Sequence, residues 1–180
     1  MEKVEVEGVI LNPRTITSIV LLSASGDRVL PIVVGLFEAQ AILMGLQKGV
    51  FPRPLTHDLL QSVIRQMGGR LVRMEIYALK EEVYYAHLVI SVAGEERVVD
   101  CRPSDGIALA LRCNAPIYAA EELLERRIPQ EIEGHRFIRR RTDKPIDEKE
   151  VEEFSRLIES MSAEDFWKHL NTKGDPEQSG

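Results

Sequence analysis

The 180-residue sequence is short of several things, and each shortage removes a class of protein. Its two cysteines, Cys101 and Cys113, lie twelve positions apart with no histidine at zinc-ligand spacing. Neither a disulfide framework nor a zinc cage is expected, and both read as buried thiols. No stretch approaches the roughly 20 uninterrupted apolar residues of a membrane span, and the opening MEKVEVEG is charged where a secretory leader is apolar. The expectation is a cytoplasmic protein with no membrane partner. GxxxxGK[ST], GxGxxG opening a helix and GxSxG are all missing, which disfavours P-loop nucleotide hydrolysis and serine-nucleophile chemistry. A single sign of charge is missing too, over most of the chain. Residues 1–142 hold 18 acids and 18 Lys or Arg, whereas residues 143–180 hold 11 acids and 5, so the net charge of −6 resides in the tail. A neutral body exerts no general pull on a phosphate backbone, and nucleic-acid binding would need a local cluster of positive charge.

What is present is ordinary soluble composition, 44% hydrophobic and 29% charged, in a chain long enough for one domain and an appendage. KVEVEGVIL (3–11) and ITSIVLLS (16–23) read as strands around the Asn12-Pro13 break, and RVLPIVV (28–34) as a third, its Pro31 pointing to an edge or a bulge. After Gly35, apolar Leu36, Ala39, Ile42, Leu43 and Leu46 predict a largely buried helix ending at Gly49. LTHDLLQSVIRQMGG predicts a second helix, with Thr56 as cap and Gly68-Gly69 as stop. Residues 70–79 and 83–92 alternate as a hairpin with one wet side, EERVVDCR (95–102) adds a strand, and a helix starts near Pro103.

Residues 1–125 thus form the expected domain. The segment 126–146 reads as a charged, irregular linker, and 147–170 as a helical tail with Val151, Phe154, Ile158 and Met161 on one stripe. Residues 171–180 read as disordered. A faint echo at an offset of 67, in which 29–46 resembles 96–113 and Glu38 falls opposite Asp105, makes an internal duplication a candidate.

Two polar constellations can carry chemistry. In DCRPSDGIALALRCNAPI (100–117), alternation puts Asp100 and Arg102 on one side of their strand, and Asp105 follows in the first helical turn. Such a set offers oxygen ligands for a divalent cation and a guanidinium for charge developing on a phosphate. The same residues also suit a purely structural joint, with Ser104 as cap and Asp105 complementing the helix dipole. In RPLTHDLL (53–60), His57 on the polar side of its helix can serve as general base, with Arg53 and Asp58 nearby, or can be a plain surface histidine. His87 and His169, with no acid or Cys at ligand spacing, read as structural. The basic patch HRFIRRR (135–141), with Arg139, Arg140 and Arg141, can hold a nucleic-acid backbone or pair with the acidic tail.

LPIVVGLFEAQAI (30–42), RPLTHDLL, YYAHLVI (84–90) and DCRPSDGIALALRCNAPIY (100–118), in that order, resemble the bifunctional nuclease domain family over about residues 1–125. The resemblance implies nuclease activity on DNA and RNA. Glu38, Arg53, Thr56, His57, Asp58, Asp100, Arg102, Ser104 and Asp105 match its pattern, while Cys101 and Gly106 stand where alanine is common.

The expected fold is α+β, a mixed or antiparallel sheet with packed helices. The expected function is phosphodiester hydrolysis aided by Mg²⁺ or Mn²⁺, with nucleic acid as substrate and a homo-oligomeric assembly. Glu38, Asp58, Asp100 and Asp105 are the candidate metal ligands, His57 the base, Arg102 the transition-state cation, and Arg53 and Arg139–Arg141 the substrate contacts. The rival reading is a non-catalytic binding or oligomerisation module in which the polar joint is structural.

Overall fold

The computed structural model describes residues 1–11, 17–48, 52–126 and 136–139. The element order is β1 (Glu2–Leu11), β2 (Thr17–Ser23), β3 (Arg28–Gly35), α1 (Leu36–Gln47), α2 (Thr56–Gln66), β4 (Gly69–Lys80), β5 (Val83–Val92), β6 (Glu95–Cys101), α3 (Pro103–Cys113), β7 (Ile117–Ala119), a 3₁₀ turn (Glu121–Leu123), β8 (Glu125–Arg126) and β9 (Arg136–Arg139). The fold is α+β, a mixed sheet packed by three helices. Strands run β6-β5-β4-β7-β1-β2-β3, with β8 added beside β3 and β9 beside β1. All described pairings are antiparallel except β4 with β7.

The alternation read from the sequence produces this sheet. Val20 and Leu22 of β2, Ile32 and Val34 of β3, and Met74 and Ile76 of β4 are buried, each set spaced by two as a pleat requires. Ala39, Ile42 and Leu43 of α1 and Ile107, Ala108, Leu109 and Ala110 of α3 meet that face. Pro31 sits on β3, whose outer side is paired among the described residues only by the two-residue β8. Its missing N–H is therefore tolerated.

The faint sequence echo has a structural counterpart. β1, β3 and α1 begin 67 residues before β4, β6 and α3, and β2 begins 66 before β5. Each half is a three-stranded meander followed by a helix, and the strand order runs outward from the middle in mirror fashion. The N-caps of α1 and α3, Gly35 and Arg102, are both extended, and the C-caps, Lys48 and Asn114, are both left-handed.

Two local readings differ from the observed structure. Thr56 is the first helical residue of α2 rather than its cap, which is Leu55. The Leu55 N–H donates to Asp58 Oδ2 at 2.9 Å, so the acid at the third position secures the helix start. β8 and β9 lie within the stretch read as irregular, because their pairing depends on distant edges of β3 and β1 rather than on local pattern. The rest of the linker, the 147–170 tail, the terminal ten residues, and Arg140 and Arg141 lie outside the described residues.

Cys101 and Gly106, the two departures from the family pattern, touch. A Cβ on Gly106 would stand 3.0 Å from Cys101 Sγ and 2.9–3.0 Å from Met74 side-chain atoms. The larger residue on β6 fills the room left by the smaller one on α3, so the helix keeps its seat.

Candidate active site

The starts of α1, α2 and α3 converge on one open cleft of about 480 Å³, lined among others by Phe37, Glu38, His57, Arg102 and Asp105. Glu38 and Asp105 each occupy the third position of their helix, and Arg102 is the residue before α3. Gly35 lets the Glu38 carboxylate fold over the start of α1, since a Cβ there would collide with Glu38 Oε2.

Arg102 is the centre of the cluster. Its Nε and one terminal nitrogen donate to the two oxygens of Asp105 at 2.7 and 3.1 Å, and the other terminal nitrogen donates to Glu38 Oε1 at 3.1 Å. A guanidinium has five N–H donors, so two remain. The side chain is 65% exposed, so a ligand can approach it from solvent. The bonds and charge of Asp105 hold Arg102 more firmly protonated than usual.

His57 reaches Asp105 from α2, Nε2 to Oδ1 at 3.5 Å, with its side chain 15% exposed. Burial first, and the Arg112 charge second, push its pKa below the ordinary histidine value, against the pull of Asp105. Burial alone would raise the Asp105 carboxyl, but the Arg102 hydrogen bonds and charge, with His57, bring it below its ordinary value. At neutral pH the cleft therefore presents a neutral imidazole beside the Asp105 carboxylate and the Arg102 guanidinium.

Asp58 lies close by with a different task. Its Oδ1 accepts from Arg112 Nε at 2.6 Å, and Arg112 Nη1 also donates to the carbonyls of Ala41 and Ala108. Gln61 Nε2 donates to the Arg112 carbonyl at 2.8 Å. Arg112, 7% exposed, thus ties all three helices together behind the cleft. Gly45 permits this, since a Cβ there would stand 3.0 Å from an Arg112 nitrogen. The sequence reading missed Arg112, whose only local signal is a lone cation inside the apolar run IALALRC.

Asp100 does not join the cluster. Cys101 packs inward beneath Gly106, so by alternation Asp100 lies on the outer face of the sheet, directly opposite His87 of β5. The shared face expected for Asp100 and Arg102 ends where the strand ends, at Cys101, and Arg102 turns toward the helices. His87 has an acid partner after all, supplied by the neighbouring strand: its Nε2 lies 2.5 Å from Glu75 Oε2. Arg53 is exposed ahead of α2, and Arg139 lies on β9.

A divalent cation does not fit the four acids as placed. Asp58 is bonded to Arg112, Asp100 is on another face, and Arg102 bridges Glu38 and Asp105. Among the described residues no three His, Cys, Asp or Glu side chains are grouped to hold a metal ion. No helix of the described residues is long and apolar enough to cross a membrane.

The sequence that builds this sheet and cleft matches a known family profile. The Bifunctional nuclease domain profile covers residues 19–131, starting later than the 1–125 expected and ending slightly later. The chain belongs to the bifunctional nuclease domain family. An uncharacterized protein of Mycobacterium tuberculosis is 36% identical over 170 residues, 92% of this chain and 98% of its own. Bifunctional nuclease 1 of Oryza sativa subsp. japonica is 31% identical over 104 residues, which is 56% of this chain and 31% of the rice protein. Bifunctional nuclease 2 of Arabidopsis thaliana is 29% identical over 105 residues, 56% of this chain and 32% of its own.

Proposed function

We propose that the protein hydrolyses phosphodiester bonds of DNA and RNA in the cleft formed by Glu38, His57, Arg102 and Asp105. The observation that carries this reading is the convergence of an exposed, pre-oriented guanidinium and a neutral imidazole from separate helices. Membership of the family, and the names of its plant members, support it.

Each residue has a physical task in this reading. Asp105 and Glu38 fix the plane of Arg102, and its two remaining donors receive a phosphate oxygen as negative charge grows in the transition state. An acceptor opposite Nε2 of His57 favours the tautomer with its proton there, leaving Nδ1 to take a proton from the attacking water. Asp105 then steadies the imidazolium that forms, while the opposite P–O ester bond breaks and its departing oxygen takes a proton from solvent. Mg²⁺ or Mn²⁺ assistance is part of the proposal only as a variable of the test, and no step is routed through it.

The test is cleavage by the purified full-length chain, with activity followed through the final column and measured with Mg²⁺, Mn²⁺ or EDTA. His57→Ala and Asp105→Asn are expected to lose at least about 100-fold in rate while staying folded. Full activity in both variants removes the cleft from the reaction.

A second reading is favoured by one feature. α2 packs on the core mainly through Ile64, and Leu59, Val63 and Met67 stand exposed at i, i+4, i+8. Such a stripe suits a homo-oligomeric contact or another binding partner. If the chain binds and assembles without cleaving, this second reading replaces the first.

A further inference from the structure

The sheet ends in two unlike edges. One is β3, which carries Pro31 and is covered at its start by β8, paired antiparallel to Arg28 and Val29. The other is β6, where Glu95 to Asp100 are all exposed and the outer side has no paired strand among the described residues. The two edges are equivalent in the repeated halves of the fold, since the offset of 67 sets Arg28 and Val29 of β3 against Glu95 and Glu96 of β6. One edge has an antiparallel strand laid on it, and the matching place on the other is bare. Pro, Lys and bulges commonly guard such an edge, and β6 has none of them: its seven residues pair with β5 in unbroken register. Its charges are partly paired within the chain, Glu96 with Arg73 and Arg97 with Glu95. Val98 is 65% exposed on the outer face and Val99 45% on the helix face, beside the buried Val89 and Leu88 of β5.

The turn before β6 decides which backbone groups the edge offers. Ala93 and Gly94 both have positive φ, as in a two-residue type I′ turn, so Val92 and Glu95 on either side of it exchange backbone bonds. Bonded pairs alternate along an antiparallel ladder. Glu95, Arg97, Val99 and Cys101 therefore bond to β5, and Glu96, Val98 and Asp100 turn their N–H and C=O groups outward. We infer that this edge is a homodimer contact, in which the β6 of a second copy pairs antiparallel with Val98 opposite Val98 across a two-fold axis. The strand is its own complement in that register. Rotation about an axis through Val98 sets all seven residues against all seven, brings the outward groups of Val98 onto each other and those of Glu96 onto Asp100, and keeps the helices of both copies on one side of the joined sheet. The row of Val89 and Val98 runs on into the partner copy's two valines, which covers the exposed side chain. Glu96 facing Asp100 opposes the pairing, and the two bonds from Arg73 to Glu96, both 3.1 Å, ease it. Seven residues a side is a small contact, so a reversible dimer of micromolar affinity is expected. This surface is separate from the α2 stripe, and the inference holds whether or not the chain cleaves nucleic acid.

The test follows the full-length chain by sedimentation velocity across a range of concentrations and by backbone amide exchange. A concentration-dependent dimer is expected, with an alternating pattern of protection. The amides of Glu96, Val98 and Asp100 gain at least about tenfold as the dimer fills, while those of Arg97 and Val99 are protected throughout by β5. Val98→Pro removes an outward N–H that the ladder with β5 does not use, which an edge strand tolerates. It is expected to weaken the dimer at least about tenfold and to leave the thermal melt nearly unchanged. Asp100→Asn relieves the facing carboxylates on both sides of the axis and is expected to tighten the dimer about threefold. A monomer at every concentration overturns the inference, and so does a dimer whose three outward amides exchange as fast as in the monomer. A dimer that survives Val98→Pro but is lost in Val63→Lys also overturns it and assigns the contact to α2. If Val98→Pro does not fold, the amide pattern of the native chain decides. Cleavage is not measured in any of these experiments, so their outcome leaves the nuclease reading where it stands.

Discussion

The two ends of α3 carry the same pair of residue types in opposite circumstances. At its start Arg102 bonds Asp105 and Glu38 and is 65% exposed; in its last turn Arg112 bonds Asp58 and two helix carbonyls and is 7% exposed. Nine helical residues, Pro103 to Leu111, separate an arginine with donors to spare from one enclosed by three helices. The difference teaches that an acid–arginine pair is no site by composition. What distinguishes the first is access, and what fixes that access is the second, which holds the helix starts at the spacing the cleft needs.

The contrast is broken or sharpened most strongly at the enclosed end. Arg112→Met is expected to cost about 3–5 kcal/mol of stability, since it leaves Asp58 and two carbonyls without their partner in a half-buried place. Urea unfolding checks it. Arg102→Met is expected to move stability by less than about 1 kcal/mol, while cleavage falls at least about 100-fold. Reversal of that order would mean that the two arginines have exchanged roles. Next, Asp105→Asn and Asp100→Asn separate the two acids that the sequence places together: the first is expected to lose cleavage and the second to keep it within about twofold. Loss in the Asp100 variant would bring the outer face into the reaction.

Between the two arginines lies Gly106. Gly106→Ala is expected to destabilise by about 1–3 kcal/mol by pressing on Cys101 and Met74, and Cys101→Ala in the same chain is expected to recover part of that loss, as a thermal melt will show. The smallest effect is in pH. His57 has a folded pKa below its unfolded value near 6.5, owing to burial and then to Arg112. As pH falls below 6.5 the unfolded chain takes up the proton first, so this contribution to stability is complete above 6.5 and is lost on acidification. His57→Gln is expected to remove that part of the slope between pH 7 and pH 5 in urea midpoints. The Cys101 thiol, pushed up to about 12 by burial and then by Asp100 and Asp105, is expected to resist alkylation at pH 7 in the folded protein and to react once urea unfolds it.

Much of the fold was legible because it is local. Period-two alternation marked β1 to β6 and apolar spacing marked the three helices, with Gly68 at positive φ closing α2 as its position suggests. The ionic group of the candidate site was legible as well: Glu38, His57, Arg102 and Asp105 were named from the sequence and lie together. Asp100 went astray because strand parity was extended one residue past the end of β6. Arg112 was invisible because its partners come from two other helices, and Ala41 and Ala108 contribute only backbone oxygens, which no side-chain motif records. β7 escaped for a related reason, since three residues paired with two remote strands leave no periodic trace.

That short strand governs when the molecule can come together. β4 and β1 are each bonded to β7, so Ile117–Ala119 is the only described backbone seam between the two meanders. A growing chain on the ribosome can zip each meander as it emerges, yet the two stay unjoined at the sheet until the stretch after Asn114 leaves the exit tunnel. Any shortened product ending at α3 would therefore carry every residue of the cleft and still lack the stitch that holds its walls in register.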